Sequence, residues 1–277
     1  MTSLSSYLRR IAYDGPLETS LESLQRLHYL HTQSIPFENL SPFTGREVHL
    51  DLPSLFDKLV QQRRGGYCYE HNLLFKHVLE TLGFSVTSLA ARVRMNVPDE
   101  VLTPRSHMLL VVRLGEEDYL VDTGFGGMTP TAPLQLASEL VQPTSHGRYR
   151  LLHAGENFRL EAEVKQEWKA LYTFDLCPHY LPDYEVANWY VSRHPASHFV
   201  SDLVAARPDP EGRHVLYGAE YSYYRRDAEP EKKIVSSVAE LRDLLERVFH
   251  ISTAGIPELS DRLENLLYIR AHPAKRQ

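Results

Sequence analysis

The stretch Arg64-Gly65-Gly66-Tyr67-Cys68-Tyr69-Glu70-His71-Asn72 constrains this chain more than any other. Two adjacent glycines lead to one of only two cysteines. An apolar series at helical spacing follows, Leu74, Phe75, Val78, Leu79 and Leu82, ending at Gly83. The pattern predicts a tight turn feeding an amphipathic helix, with Cys68 in its first turn and Gly83 as its left-handed stop. The glycines allow positive φ and a close backbone approach. A sulfur in that first turn faces unpaired N–H groups and the positive end of the helix dipole, which favours thiolate over thiol. A cysteine can equally be a small, inert core residue. The choice rests on whether the chain supplies a base and an acid to go with it.

Three regions of different pattern surround this stretch. Residues 1–84 read as helical. Leu4, Leu8 and Ile11 mark a short helix, and Thr19-Ser20-Leu21-Glu22 fits a capping box ahead of Leu21, Leu24, Leu27 and Leu30. Pro36 ends any helix before Phe37. Arg46 to Leu50 alternates as a short strand does, and Asp51 and Pro53 open a further helix. Residues 85–180 read as β, with strands expected at 85–93, 106–114, 119–122, 149–153, 158–164 and 168–174. Met108 to Val112 is so continuously apolar that both faces of its strand should be covered. Residues 181–277 are mixed. Asp183 is expected to cap a short helix, Val215 to Tyr224 to form one or two strands, and Ser237-Val238-Ala239-Glu240 to open another helix. The tail from Pro273 to Gln277 is expected to fray.

Among 14 histidines, His107 stands out because it opens the most buried-looking strand. Asp122 closes the next strand and leads into Thr123-Gly124-Phe125-Gly126-Gly127. A carboxylate there can fix one tautomer of the ring and support its charged form. Side chains alternate faces along a strand, so a two- or four-residue turn between these strands places His107 and Asp122 on one face. A tight turn at Leu114-Gly115 would set them directly opposite; a turn at Glu116-Glu117 would separate them. The face is predicted and the register is not. A thiol at a helix start with a histidine and an acid on adjoining strands is the arrangement of an activated nucleophile. A metal site using Cys68 and His71 is a weaker reading, because no second matched pair of ligands is visible.

The totals narrow the choices further. A net charge of −6 over 277 residues argues against nucleic acid as a partner. It does not exclude an anionic cofactor, which needs only a local positive field. Two cysteines cannot build a disulfide scaffold or a four-thiolate zinc site. No apolar run approaches the roughly 20 residues of a membrane span, and no secretory apolar segment opens the chain, so a reducing, cytoplasmic protein is expected.

Taken together, these motifs resemble the arylamine N-acetyltransferase family, in its bacterial type. The Cys68 stretch is similar to the family's Arg-Gly-Gly-x-Cys-x-Glu-x-Asn signature, and Pro36-Phe37-Glu38-Asn39-Leu40 to its Pro-Phe-Glu-Asn-Leu box. Ser106-His107-Met108 and Val121-Asp122-Thr123-Gly124-Phe125-Gly126 resemble the segments that supply its histidine and aspartate. Asn188-Trp189-Tyr190 resembles a later stretch. Thr123 departs from the valine expected there, a change read as facing away from the acid. The resemblance implies an α+β molecule: a helical bundle over 1–84, a central antiparallel β-barrel-like domain over 85–180, and an interdomain helix with an α/β lid over 181–277. The first two parts would form a papain- or transglutaminase-like catalytic core. It implies ping-pong acetyl transfer from acetyl-CoA, as co-substrate and without a metal, to a small aromatic amine, arylhydroxylamine or hydrazine. Cys68, His107 and Asp122 would be the catalytic triad. Phe125, Tyr69 and Phe37 would contact the acceptor, and Gly126 and Gly127 would admit CoA. Arg64 is expected to pair with Glu38 inside the fold, Cys177 to be inert, and Arg225-Arg226 and Lys232-Lys233 to be solvated surface. The competing reading is a cysteine hydrolase, amidase or transglutaminase-like enzyme built on the same triad. The resemblance leaves oligomeric state open.

Overall fold

A computed structural model of the chain describes residues 3–226 and 228–272. The fold is α+β, with helices packed on two antiparallel sheets. The tail from Pro273 to Gln277, expected to fray, lies outside the described residues. Helix α1 spans Leu4–Arg10 and α2 spans Leu21–Ser34. The cap of α2 is Ser20, whose hydroxyl accepts from Ser23 N at 3.2 Å, one residue later than the box beginning at Thr19. Strand β1 (Phe37–Glu38) and the short α3 (Leu40–Phe43) follow. Arg46 to Leu50 is not a strand. Val48 and Leu50 are buried and Glu47 and His49 exposed, as alternation requires, but no neighbouring strand completes a ladder. Asp51 caps α4 (Leu52–Leu55), which continues as a π-helical segment over Phe56–Gln61. Helix α5 spans Cys68–Thr81, and Gly83 stops it at φ +93°.

A chain of hydrogen bonds ties α1, α2 and α5 together beneath Cys68. Tyr7 Oη lies 2.8 Å from His31 Nδ1, His31 Nε2 lies 2.9 Å from His71 Nδ1, and His71 Nε2 donates to Pro36 O at 3.1 Å. The terminal carbonyl can only accept, so every tautomer along the chain is fixed. Burial holds His71 down to about 4, and His28, also buried, to about 4, from an ordinary 6.5. These rings are therefore neutral inside the fold.

The large sheet contains β2 (Ser85–Val93), β3 (Arg105–Leu114), β4 (Glu117–Val121), β5 (Leu134–Gln135), β6 (Gln142–Thr144), β7 (Gly147–Ala154), β8 (Asn157–Val164) and β9 (Glu167–Phe174). Its order is β5-β4-β3-β2-β9-β8-β7-β6. The two end strands approach each other, and the Gln142 side chain nearly closes the barrel. Its Oε1 accepts from Gln135 N at 2.7 Å and its Nε2 donates to Gln135 O at 3.0 Å, so one carboxamide does the work of a strand backbone. Strand β3 is covered on both faces, as its apolar run predicts. Met108, Leu110 and Val112 pack with Phe75 and Leu79 of α5, whereas Leu109 and Val111 point into the barrel with Leu120, Leu151 and Leu160.

Helix α6 spans Leu181–Arg193. Asp183 is not its cap; it sits in the first turn and accepts from Tyr180 N at 2.8 Å. After α7 (His198–Ser201) come β10 (Val204–Pro208), β11 (Gly212–Tyr217), β12 (Glu220–Arg225) and β13 (Glu231–Ile234), then α8 (Val238–Asp243) and α9 (Leu259–Ala271). These strands continue β1, in the order β1-β10-β11-β12-β13, with Phe37 opposite Ala206. Phe37 also bridges to Gly66. The C-terminal sheet is thereby anchored two residues from Cys68. Among the described residues, no helix is long and apolar enough to cross a membrane.

Two measurements test this account. Gln142→Ala removes the closing carboxamide and should lower unfolding free energy by about 1–3 kcal/mol in urea titrations; an unchanged midpoint would show the barrel is held shut elsewhere. The buried histidines hold protons less well than the unfolded chain does. Their stabilisation is complete above about 6.5 and is lost as pH falls through about 4. The urea midpoint should therefore drop between pH 7 and pH 5, and a flat midpoint across that interval contradicts neutral burial.

Candidate active site

Cys68 is the first residue of α5, and the turn before it is held from several sides. Gly65 and Gly66 are required for closeness, not for positive φ. A Cβ on Gly65 would fall 2.0 Å from Pro36 O, and one on Gly66 would fall 2.6 Å from Glu70 Oε2. Both keep ordinary backbone conformations. Arg64 Nε donates to Glu38 Oε1 at 2.8 Å, the pairing expected from the sequence, and both side chains are buried. Glu38 Oε2 in turn accepts from Leu40 N at 2.5 Å. Glu70 reaches back to Tyr67 N at 3.1 Å and pairs with Lys58 Nζ at 2.7 Å, completing the N-terminal box of the helix.

His107 and Asp122 meet beside Cys68 at the mouth of the barrel. Leu110 pairs with Val121 and Leu114 with Glu117, so the turn is Gly115-Glu116. That register lies between the two alternatives read from the sequence. Asp122 falls opposite Leu109, and His107 is its diagonal neighbour on the same face, within reach of a side-chain contact. His107 Nε2 lies 2.7 Å from Asp122 Oδ2. Nδ1 is thereby left for Cys68, which acts on the same ring, while the sulfur itself lies 3.9 Å from Ser106 O, one residue before His107. Burial opposes charge on the imidazole. The charge and hydrogen bond of Asp122, with the hydrogen bond and charge of Cys68, outweigh that and push His107 up to about 10. Burial likewise opposes ionisation of Asp122, and the His107 charge and hydrogen bond outweigh it, so the carboxyl is held below its ordinary value.

Asp122 has no exposed surface, and its oxygens are fully engaged. Oδ2 accepts from His107 and from Tyr172 Oη at 3.0 Å; Oδ1 accepts from Gly124 N at 2.9 Å and Asn72 Nδ2 at 3.1 Å. Asn72 lies one turn after Cys68 on α5 and clamps three elements. Its Nδ2 also donates to Met108 O on β3 at 2.8 Å, and its Oδ1 accepts from Thr123 N at 3.1 Å and Thr123 Oγ1 at 3.2 Å. Thr123 therefore does not simply face away; its hydroxyl supports the residue that supports the acid. Gly124 is the glycine that lets this turn approach the nucleophile, since a Cβ there would fall 2.7 Å from Cys68 Cα.

Comparison with known proteins places this geometry. A family model described as N-acetyltransferase matches residues 20–256. The arylamine N-acetyltransferase of Escherichia coli is 41% identical over 247 residues, covering 89% of this chain and 88% of that protein. That of Mycobacterium tuberculosis is 42% identical over 271 residues, covering 95% of each. The solved structure of Mycobacterium marinum arylamine N-acetyltransferase in complex with CoA superposes with a TM-score of 0.92 at 41% identity, over 95% of this chain and 99% of that one. This chain belongs to the arylamine N-acetyltransferase family. It is an acetyltransferase.

The remaining residues singled out in the sequence fall around the acetyltransferase centre in different ways. Phe125 stands edge-on to His107 and to Tyr172, with ring centroids 4.9 and 5.0 Å away. Tyr69 is buried, and its hydroxyl donates to Ser106 O at 2.8 Å. Phe37 stacks on His71 and lies beneath Gly126, where a Cβ would meet its ring at 3.5 Å. A Cβ on Gly127 would meet Val215 at 3.0 Å. His71 spends both ring nitrogens on His31 and Pro36, which leaves neither for a metal shared with Cys68. Arg225, Lys232 and Lys233 pair with surface carboxylates. Tyr172 and the roles of Asn72 and Thr123 were missed in the sequence. The available signal for Asn72 was its i+4 spacing from Cys68, which puts both on one helix face.

Asn72→Ala leaves Asp122 Oδ1 and Thr123 short of partners and loosens the hold of α5 on β3. It should lower kcat/KM by roughly 10–100-fold in steady-state acetyl transfer, with Thr123→Val costing less because its backbone donor remains. Equal losses in the two variants would contradict the clamp.

Proposed function

We propose that the protein moves an acetyl group from acetyl-CoA to an arylamine, arylhydroxylamine or hydrazine by a ping-pong route through acetyl-Cys68. The observation that carries the proposal is the buried His107–Asp122 pair, 2.7 Å apart, with Cys68 at the start of α5 acting on the same imidazole. On this reading the Cys68 sulfur attacks the acetyl carbon and forms a C–S bond while the bond to the CoA sulfur breaks. His107 gives its Nδ1 proton to the departing CoA thiolate, with Asp122 holding the ring in place. The acceptor nitrogen or oxygen then attacks acetyl-Cys68, His107 takes its proton, and the acetyl C–S bond breaks to release the product and return the Cys68 thiolate. The Cys68 backbone N–H, at the helix start, would stabilise the oxyanion of each tetrahedral intermediate. Exchange of one thioester for another is nearly balanced, so a thiol suits the role of carrier.

Phe125 would line the acceptor site against the His107 ring, with Phe37 and Tyr69 in the wall behind it. Gly126 and Gly127 would lie on the CoA side. The chain would divide into a nucleophile-bearing helical part (1–84), a barrel part carrying the base and acid (85–180) and an interdomain helix with lid (181–277). The lid would keep water from the acetyl-enzyme. A cytoplasmic location fits acetyl-CoA as the donor.

Incubation with acetyl-CoA alone should add one acetyl mass to the peptide containing Cys68, and a subsequent arylamine should remove it and yield the acetylated amine. Cys68→Ala should take up no acetyl, and Asp122→Asn should lose roughly 10³–10⁴ in turnover by losing the required tautomer. Acetyl transfer that survives in Cys68→Ala would overturn the covalent route. Rapid hydrolysis of acetyl-Cys68 with no transfer to amines would favour the hydrolase reading.

A further inference from the structure

The cleft between α1 and the segment after α4 carries arginines that acetyl transfer does not use. Ser6, Arg9, Arg10, Val60, Gln61 and Arg63 line a cavity of about 310 Å³. Arg10 is fixed by its Nε, which donates to Leu59 O at 3.1 Å, while its Nη2 is buried with no hydrogen-bond partner. Arg9 donates to the neutral hydroxyl of Ser6 at 3.0 Å. Among the described residues, the arginine–carboxylate pairs include none of these three. Arg64, the very next residue, is by contrast fully paired with Glu38.

The three guanidinium groups differ in exposure: Arg9 and Arg63 are exposed, and Arg10 is half-buried. Guanidinium groups in one cleft repel, and the cost rises with burial. Burial first, and then the charge of Arg63, pull Arg10 down to about 10. His250 is lowered as well, by burial and then by Arg207, Arg10, His214 and Arg63. Arg63 occupies the left-handed region at φ +54°, which is strained for a residue with a Cβ, and its carbonyl accepts from Ser252 N at 3.3 Å. The cleft carries positive charge with no carboxylate paired to it, on a chain of net charge −6, and so favours an anionic occupant.

We infer that this cleft binds a phosphate-type oxyanion between Arg10 and Arg63, with Arg9 and Ser6 at its rim. The guanidinium fork matches two oxygens of a tetrahedral anion, and both Arg10, half-buried, and Arg63, exposed, line the cleft. The cavity is at the small end of ligand sites, large enough for a phosphate and a compact organic group. Free phosphate and a phosphate monoester share this chemistry. The site is distinct from the Cys68 centre and does not rest on the acetyl-transfer proposal.

The full-length protein is titrated with inorganic phosphate and, separately, with phenyl phosphate, against sodium chloride at matched ionic strength. Melting temperature and calorimetric heat are recorded. Both probes should raise the melting temperature saturably, and chloride should not. Tighter binding of phenyl phosphate identifies an ester as the natural class, and tighter binding of inorganic phosphate the free ion. Arg63→Gly should weaken binding roughly tenfold or more. It should also keep or raise the anion-free melting temperature, because glycine accepts the left-handed backbone and one like charge is removed. Arg10→Gln should show the same loss of affinity. Equal effects of chloride and phosphate, or wild-type saturation in Arg63→Gly and Arg10→Gln, would overturn the assignment.

Discussion

A carboxylate with no exposed surface stays ionised only if the protein supplies the hydrogen bonds that water would have given it. Asp122 is such a group, and meeting its demand organises the middle of the molecule. Its donors come from four separate places: Asn72 on α5, His107 on β3, Tyr172 on β9 and the Gly124 backbone in its own turn. Each must be brought in by a different long-range contact. Removing one leaves a buried charge short of a partner, a larger penalty than the gain from making a single hydrogen bond in water. The barrel mouth, the nucleophile helix and the turn after β4 are therefore not independent units that happen to adjoin. They are joined by the requirement that one anion be satisfied.

Cys68 is positioned by a second set of buried ion pairs on the opposite side of the glycine turn. Arg64 with Glu38, and Glu70 with Lys58, fix the chain on either side of Gly65 and Gly66. Pro36 O sits where a Cβ on Gly65 would go, so the turn lies directly on the β1 segment. Because β1 is also the edge of the C-terminal sheet, displacement of that sheet would be felt at the turn before Cys68. The neutral histidine chain completes this support from below. It supplies hydrogen bonds across three helices without adding charge beside an already ion-rich turn.

Much of this was legible in the sequence, and the failures have physical causes. Long strands with clear periodicity, such as Ser85–Val93, were readable because burial on a defined face imposes a pattern. The two-residue strands β1 and β5 carry too few side chains to show one. Arg46 to Leu50 shows the opposite failure, since alternate burial needs only a surface to lie on and no strand partner. The shared face of His107 and Asp122 followed from parity alone. Their register depended on where the chain turned, and Gly115, at φ +59°, was the usable signal, because a type II′ hairpin turn places glycine at its first central position. Tyr172 acts through Asp122, distant in sequence, which no local window contains; Gln142 reaches Gln135 nearby, but a side chain standing in for a strand backbone leaves no periodic pattern to read.

The glycines after Asp122 show how one composition can serve two demands. Gly124 has a decisive structural reason to be glycine, because any Cβ would strike the Cys68 backbone. Gly126 is at φ +70° over the Phe37 ring, and Gly127 lies close to Val215 on β11. The same short turn therefore packs against the nucleophile helix at one end and the C-terminal sheet at the other. If CoA also passes this way, its path is set by those packing contacts. A side chain added at Gly127 would press on β11 before it met any ligand. Shape at this turn thus couples the start of α5 to the seating of the C-terminal sheet, so that a sheet which supplies neither Cys68, His107 nor Asp122 still bears on the backbone around the sulfur.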